Sequence, residues 1–416
     1  MSNSFPHPGR LAAGVLAAAL LSLPVAALTL DEALRQAERE APSLAAQAAQ
    51  VEASRSSAIP AGALPDPKLL LGLQNVPIEG ADRGRLDREP MTMQMVGVMQ
   101  EVPNRAKRRA RIEVAQAGVE RATLEQRVEL LKVRRQTALA WISALAVEEK
   151  LALFQTLYAE NDLLVKAVRA RLAGGRGQPA DSVGPKQEAA LLAEAEDQLQ
   201  QSRAQQRAAL RRWVGPRADE PLAGRLPNWP VDAEHYRHNL QRHPELALFD
   251  PMTDEAQAEI RQAVAEKKSD WSWELAYQKR GEEFGDMMSV QFSFDLPLFP
   301  GSRQNPRIAA KQATLNQLEA EREAAEREHA QQLADDLAEY QRLDRALRRS
   351  QDSLLPLAEE KVALTLAGYR AGSGELAGVI AARRELVEAR LKHIDFEQAR
   401  ALTSARLHFA YEEVSQ

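Results

Sequence analysis

The sequence predicts an internally duplicated α+β membrane protein. In this fold four transmembrane β-strands per chain contribute to a trimeric 12-stranded barrel, and long α-helices form a coiled-coil barrel beside it. Three observations carry the prediction. Landmarks recur roughly two hundred residues apart; residues Val119 to Ala173 contain neither Gly nor Pro; and four short segments alternate apolar with polar side chains.

The duplication orders everything else. Ala41-Pro42-Ser43-Leu44 is echoed by His243-Pro244-Glu245-Leu246, an offset of 202 from Pro42 to Pro244. Glu101-Val102-Pro103 is echoed by Asp295-Leu296-Pro297, an offset of 194, and Gly174-Gly175-Arg176-Gly177 by Ala371-Gly372-Ser373-Gly374, an offset of 197. Landmarks in one order at nearly constant spacing define a first repeat over 28–216 and a second over 231–416, joined by a Pro/Gly-rich linker at 217–230.

Each repeat is expected to run helix, strand pair, very long helix, tip turn, helix. In the first these fall at 28–60, 67–77 and 91–102, 105–172, and 179–213. In the second a leading helix precedes strands at 270–279 and 286–297, a long helix over 303–371 kinked at Pro356, and a helix over 375–413. Leu124, Val128, Leu131, Ala138, Ile142 and Leu145 follow steps of three, four and seven, a coiled-coil seam. At 1.5 Å per residue the 105–172 helix spans about 100 Å. The two shorter helices of the first repeat together match that length, so stacked end to end they run beside it. An elongated duct follows from this; a globular core does not.

The strands follow a period of two. One face of the second pair carries Trp271, Trp273, Leu275, Tyr277, Val290, Phe292 and Phe294, predicted to face lipid; the other carries Glu274, Gln278, Gln291 and Asp295. Seven of the chain's 20 aromatic residues lie within 271–299, as in the interfacial belts of membrane barrels. The first pair alternates more weakly, with Leu69, Leu71 and Leu73 opposed to Gly72 and Gln74. Four strands cannot close a barrel, and an open edge in lipid costs several kcal/mol for each unpaired backbone group, so closure requires further copies.

Composition and the N-terminus fit this plan. The 416 residues are 44% hydrophobic and 27% charged, with a net charge of -5, which offers no basic face for nucleic acid. Aromatics are 5%, in keeping with narrow seams filled by Ala and Leu. Cysteine is absent, which excludes disulfides, thiolate metal sites and a lipid-anchored Cys. Arg10, the apolar run Leu11 to Leu23 and Ala27 read as a secretory signal peptide over 1–27, too short for a helix that must span about 20 residues.

The run YRAGSGELAGVIAARREL, Tyr369 to Leu386, resembles the second hairpin turn of the TolC-like outer-membrane efflux proteins. LPLFPGSRQNPR, Leu296 to Arg307, and EVPNRAKRRAR, Glu101 to Arg111, resemble the family's strand-to-helix junctions. The resemblance covers essentially the whole mature chain. It implies a homotrimer in the outer membrane of a Gram-negative bacterium, contacting outer-membrane lipid and projecting an α-helical barrel into the periplasm. It further implies docking on a periplasmic adaptor (membrane fusion) protein linked to an inner-membrane efflux pump. The docking tips would include Gly174, Gly177 and Asp181 in one hairpin and Tyr369, Arg370, Gly372, Gly374 and Glu375 in the other. The family's constricting acidic ring maps onto Gly378 and Ala381, neither of which carries a carboxylate to form one.

No Ser/His/Asp, paired-carboxylate or zinc-protease spacing is present, and Gly174 to Gly177 lacks the Lys-Ser/Thr ending of a phosphate loop. A conduit is expected, with no enzyme activity and no cofactor. His235, His238 and His243 are read as surface histidines. Met91, Met93, Met95 and Met99 share one strand face; packing explains them most simply, while Met93, Met95 and Met99 are also candidate contacts for Cu(I) or Ag(I). The basic run Arg105 to Arg111 is either a solvated helix start or a contact for lipid phosphates. Heavy-metal cations are the leading cargo, a reading that also draws on the likeness of Leu64 to Pro77 and Arg88 to Pro103 to metal-efflux members. Drug or protein export is the alternative, and a soluble coiled-coil adaptor or scaffold is the reading from another class.

Overall fold

The computed structural model describes residues 27–175 and 177–411; all but the last residue of the predicted signal peptide lie outside these. The chain opens with α1 (Leu30–Glu40), α2 (Pro42–Ala58), β1 (Lys68–Gln74), β2 (Met93–Val102) and α3 (Arg105–Ala173), and continues through α4 (Gly184–Val214). The second half runs α5 (Ala233–His238), α6 (Pro244–Ala247), α7 (Phe249–Ala265), β3 (Trp271–Lys279), β4 (Met287–Phe294), α8 (Gln304–Arg349), α9 (Leu355–Ala371) and α10 (Leu376–Ala410). Both halves run leading helices, a strand pair and then long helices, the second dividing its leading and long helices into more pieces than the first. No described helix is long and apolar enough to cross a membrane.

Local chemistry explains the ends. Thr29 and Glu32 form a reciprocal capping box: Thr29 Oγ1 accepts from the Glu32 N–H at 3.3 Å, and the Glu32 carboxylate accepts from the Thr29 N–H at 3.0 Å. Asn104 caps α3, its Oδ1 accepting from the Lys107 N–H at 2.9 Å. The 69 residues of α3 make a rod of about 100 Å.

Proline breaks two helices expected to be continuous. The leading helix divides at Ala41, which is extended (φ −64°, ψ 117°) before Pro42, since the residue preceding proline avoids the helical region. His243-Pro244 interrupts the second repeat at the matching place. The helix predicted over 303–371 is α8 and α9 joined by a π-turn at Ser350–Leu354. Pro356 has no N–H for the preceding turn, and the wider turn makes room for its ring.

The four strands form one antiparallel sheet in the order β1-β2-β3-β4, so β2–β3 joins the repeats and β1 and β4 are its edges. The main core is a belt halfway along the helices, built from Leu28, Leu34, Trp141, Ile142, Leu210, Ala401 and Phe409. Trp141 is 1% exposed and donates its indole N–H to the Leu28 carbonyl at 3.1 Å. Of the predicted seam, Leu131, Ala138, Ile142 and Leu145 are buried while Leu124 and Val128 are half-buried. Around Trp141 burial widens from a seam to nearly the whole helix circumference, taking in Thr137, Ala140, Ala144, Ala146 and Val147. The linker causes this: Leu28 bridges to Leu222, and the chain from Ala218 to Trp229 packs on the belt.

Candidate functional site

The sheet's register sorts its side chains into two faces. Trp271 lies opposite Phe294, Trp273 opposite Phe292, Leu275 opposite Val290 and Tyr277 opposite Met288. Across the repeat boundary Val96 lies opposite Tyr277 and Val98 opposite Leu275, and beyond them Leu69 opposite Val98 and Leu71 opposite Val96. A largely apolar face results, broken by Gln100 and ending at Gln94 and Lys279, and it is open to its surroundings: Leu71 is 72% exposed and Phe292 and Val290 each 59%. Trp273 on this face is half-buried. Met288, at 72% exposure, belongs to this face and was not singled out in the sequence, because methionine there breaks the aromatic pattern.

The other face carries Gln74, Glu101, Ser272, Glu274, Gln278, Ser289 and Gln291. Ser272, Ala276 and Gln278 on it, in the central strand β3, are buried, whereas Ser289 and Gln291 on the edge strand β4 are exposed. Small residues let β2 and β3 approach closely. A Cβ on Gly97 would lie 2.9 Å from the Leu275 carbonyl and 3.0 Å from the Ala276 Cβ. Met93, Met95 and Met99 lie on this inner face, with Met95 opposite Gln278 and Met99 opposite Glu274; Gln74 Nε2 contacts the Met95 sulfur at 3.3 Å. Met91 stands apart from them, in the turn before β2 and 62% exposed.

Beneath the sheet, polar contacts tie the repeats together. Asp270 accepts from the Asn104 N–H at 2.7 Å and pairs with Lys107 Nζ at 2.8 Å. Arg108 donates to the Gly62 carbonyl at 3.0 Å, and Arg109 pairs with Glu113 at 3.1 Å. Much of the basic run is thus committed within the chain.

At the opposite end the two hairpin turns meet. Arg171 donates to the Tyr369 carbonyl at 2.7 Å, and its guanidinium stands 4.2 Å from the Tyr369 ring centre. Leu164, Val168, Tyr369, Leu376 and Val379 form a small core there. Tyr369 is therefore 4% exposed, a packing residue of the tip, and its buried hydroxyl has no partner among the described residues. Gly372 takes φ +85°, the left-handed conformation that lets Ser373 and Gly374 both donate to the Gly368 carbonyl. A Cβ on Gly374 would lie 3.0 Å from the Tyr369 nitrogen. Gly174, Arg370, Gly372 and Glu375 are exposed at the extremity, and Gly177 and Asp181 are half-buried. Asp181 is held by the turn, its carboxylate accepting from the Gln178 N–H at 3.1 Å. Gly378 and Ala381 are exposed on the first turns of α10.

Tertiary structure also assembles a cluster that sequence spacing does not bring together. His243, Glu245 and His329 meet near the belt, while His235 and His238 lie elsewhere, on α5. The His243 and His329 ring centres are 4.1 Å apart, and His329 Nε2 lies 3.3 Å from the Glu245 carboxylate. Burial, with the facing His329, holds the His243 imidazole down to about 4; the hydrogen bond from His329 keeps the Glu245 carboxyl below its ordinary range. His329 is 86 residues from His243 on a polar helix, and nothing local marks it.

Comparison with known proteins places this geometry. Residues 236–411 match the family model described as outer membrane efflux protein. No curated protein sequence matches the chain. Among solved structures, a membrane protein of Pseudomonas aeruginosa is similar at a TM-score of 0.80 and 16% identity, covering 92% of each chain. CusC, described in terms of transmembrane channel formation, is similar at 0.78 and 15% identity over 92% of this chain and 91% of its own. The outer membrane channel MtrE of Neisseria gonorrhoeae, in its open state, is similar at 0.76 and 19% identity over 92% of this chain and 88% of its own. The described chain has the TolC-like outer-membrane channel fold.

Proposed function

We propose that this chain, whose fold is TolC-like and whose second repeat carries an outer membrane efflux protein domain, is one subunit of a trimeric exit duct in the outer membrane. The observation that carries the reading is a sheet with an open apolar face and two edges, β1 and β4, that pair with no other described strand. Backbone groups on those edges have no partner in hydrocarbon unless another copy supplies one. Because the four strands alternate in direction, β4 of one copy meets β1 of the next antiparallel, and cyclic repetition keeps every neighbour antiparallel. Three copies make a 12-stranded barrel wide enough for a polar lumen. Leu354, Leu357 and Leu364, exposed at 51%, 60% and 66% on the π-turn and α9, supply an apolar stripe for the neighbouring subunit's helices.

The duct is passive: it contributes a path and no catalysis. Substrate and energy come from an inner-membrane pump through a periplasmic adaptor that seats on the hairpin tips. Heavy-metal cations are the cargo the inner face favours, since the thioethers of Met93, Met95 and Met99 suit soft ions. A strain lacking the gene is expected to become sensitive to copper or silver, and sensitivity to drugs alone reassigns the cargo. Replacing Gly372 and Gly374 with Val is expected to abolish adaptor crosslinking while the purified protein still conducts as a trimer in planar bilayers. Undiminished crosslinking refutes tip docking, and an absence of conductance by the native protein refutes the duct.

A further inference from the structure

The His243, Glu245 and His329 cluster has the composition and geometry of a metal site. His243 sits at the N-cap of α6, where its Nδ1 accepts from the Glu245 N–H at 3.3 Å. That bond engages the Nδ1 lone pair and places the neutral ring's proton on Nε2, so His243 ligates either through Nδ1, displacing this long cap bond, or through Nε2, with its proton moved to Nδ1. Glu245 follows two residues later on the same turn, and His329 arrives from α8. One ligand atom from each residue lies within 4.8 Å of the other two, and the His329 Nε2 to Glu245 distance is already 3.3 Å. Bonds of about 2.0–2.1 Å in a tetrahedron put neighbouring ligand atoms about 3.3 Å apart, so only small side-chain rotations are needed.

The surroundings suit a bound ion. His243 is buried, His329 is largely shielded and Glu245 stands at the rim, so the site is anchored inside and open to solvent on one side. Tyr411 closes one wall, its ring 5.6 Å from that of His243. Lys132 and Arg135 of α3 line the adjoining cavity, and the Glu245 carboxylate offsets part of their charge. We propose that His243, Glu245 and His329 bind one divalent cation of the zinc class, with water in the remaining position, and so staple the start of the second repeat to α8. Two imidazoles and a carboxylate select borderline ions over Cu(I) or Ag(I), which prefer sulfur. The site is distinct from the methionine face and does not depend on the exit-duct reading.

The test uses the full chain purified from membranes in detergent and stripped with EDTA. Titration with zinc chloride, followed by calorimetry, is expected to show one equivalent per chain, and Co(II) is expected to give the visible bands of a tetrahedral site. His243→Asn, which keeps a helix-capping acceptor, and His329→Gln are each expected to weaken zinc binding at least tenfold and abolish the cobalt bands. Changing Met93, Met95 and Met99 together to Leu is expected to leave both signals intact. Native protein that takes up no zinc overturns the proposal. So does a double His243→Asn/His329→Gln variant, with native helical content, that binds zinc as the native protein does.

Discussion

Leu275→Arg tests the orientation of the sheet most directly. Leu275 is the middle residue of β3, on the apolar face between Val98 and Val290. Nine residues at about 3.3 Å, tilted by about 40°, rise about 23 Å, which matches the roughly 25 Å apolar band of outer-membrane barrels. Leu275 then lies near the bilayer midplane, where an outward Arg costs about 2–4 kcal/mol. With one copy in each of three subunits the penalty is about 6–12 kcal/mol for the assembly, comparable with the whole stability of an ordinary domain. Gln291→Arg is the matched control. Gln291 is on the opposite, inner face across from Glu274, where an added guanidinium gains an ion-pair partner. The assay is the yield of folded trimer in outer-membrane fractions, read by gel mobility before and after heating. Loss of trimer for Leu275→Arg with near-native yield for Gln291→Arg is expected. Equal yields for the two variants would mean that the apolar face does not meet lipid.

Trp141→Ala removes the largest side chain of the belt and its hydrogen bond to Leu28, whose carbonyl keeps the Ala223 N–H at 3.3 Å; a loss of about 3–5 kcal/mol is expected as a lower urea midpoint for helical circular dichroism. The His243 cluster makes stability depend on pH. The unfolded imidazole takes up a proton near its ordinary 6.5, whereas burial and His329 hold the folded one down to about 4. The unfolded state therefore binds more protons in between, so this contribution is complete above pH 6.5 and declines as pH falls toward about 4. Melting temperatures in EDTA are expected to drop across that window, and to drop less in His243→Asn; identical slopes would remove His243 as the cause.

Much of the fold was legible from local order. The strand faces were readable because a period of two survives in any sheet, whatever packs on it, and the register later set Trp271 opposite Phe294 and Leu275 opposite Val290 as the alternation requires. The breaks at Pro42 and Pro244 are less visible: each proline marks a repeat, and it ends a helix only through the conformation it imposes on the residue before it. Tyr369 illustrates the limit on site residues. Its motif marked a tip, yet the side chain is buried by Arg171 and Val168 from the other repeat, 201 residues away in the case of Val168.

Short-range patterns determined the long helices, the two-faced strands and the glycine turns, since each depends on residues within a few positions of one another, and the recurrence of those same local landmarks gave the duplication. Tertiary structure alone decided where burial encircles α3 around Trp141, how closely β2 and β3 approach at Gly97 and Ala276, and which histidines meet. Those outcomes depend on segments brought together from distant parts of the chain. His243 and His329 converge only because α6 and α8 pack side by side, a contact for which neither residue carries any local signature.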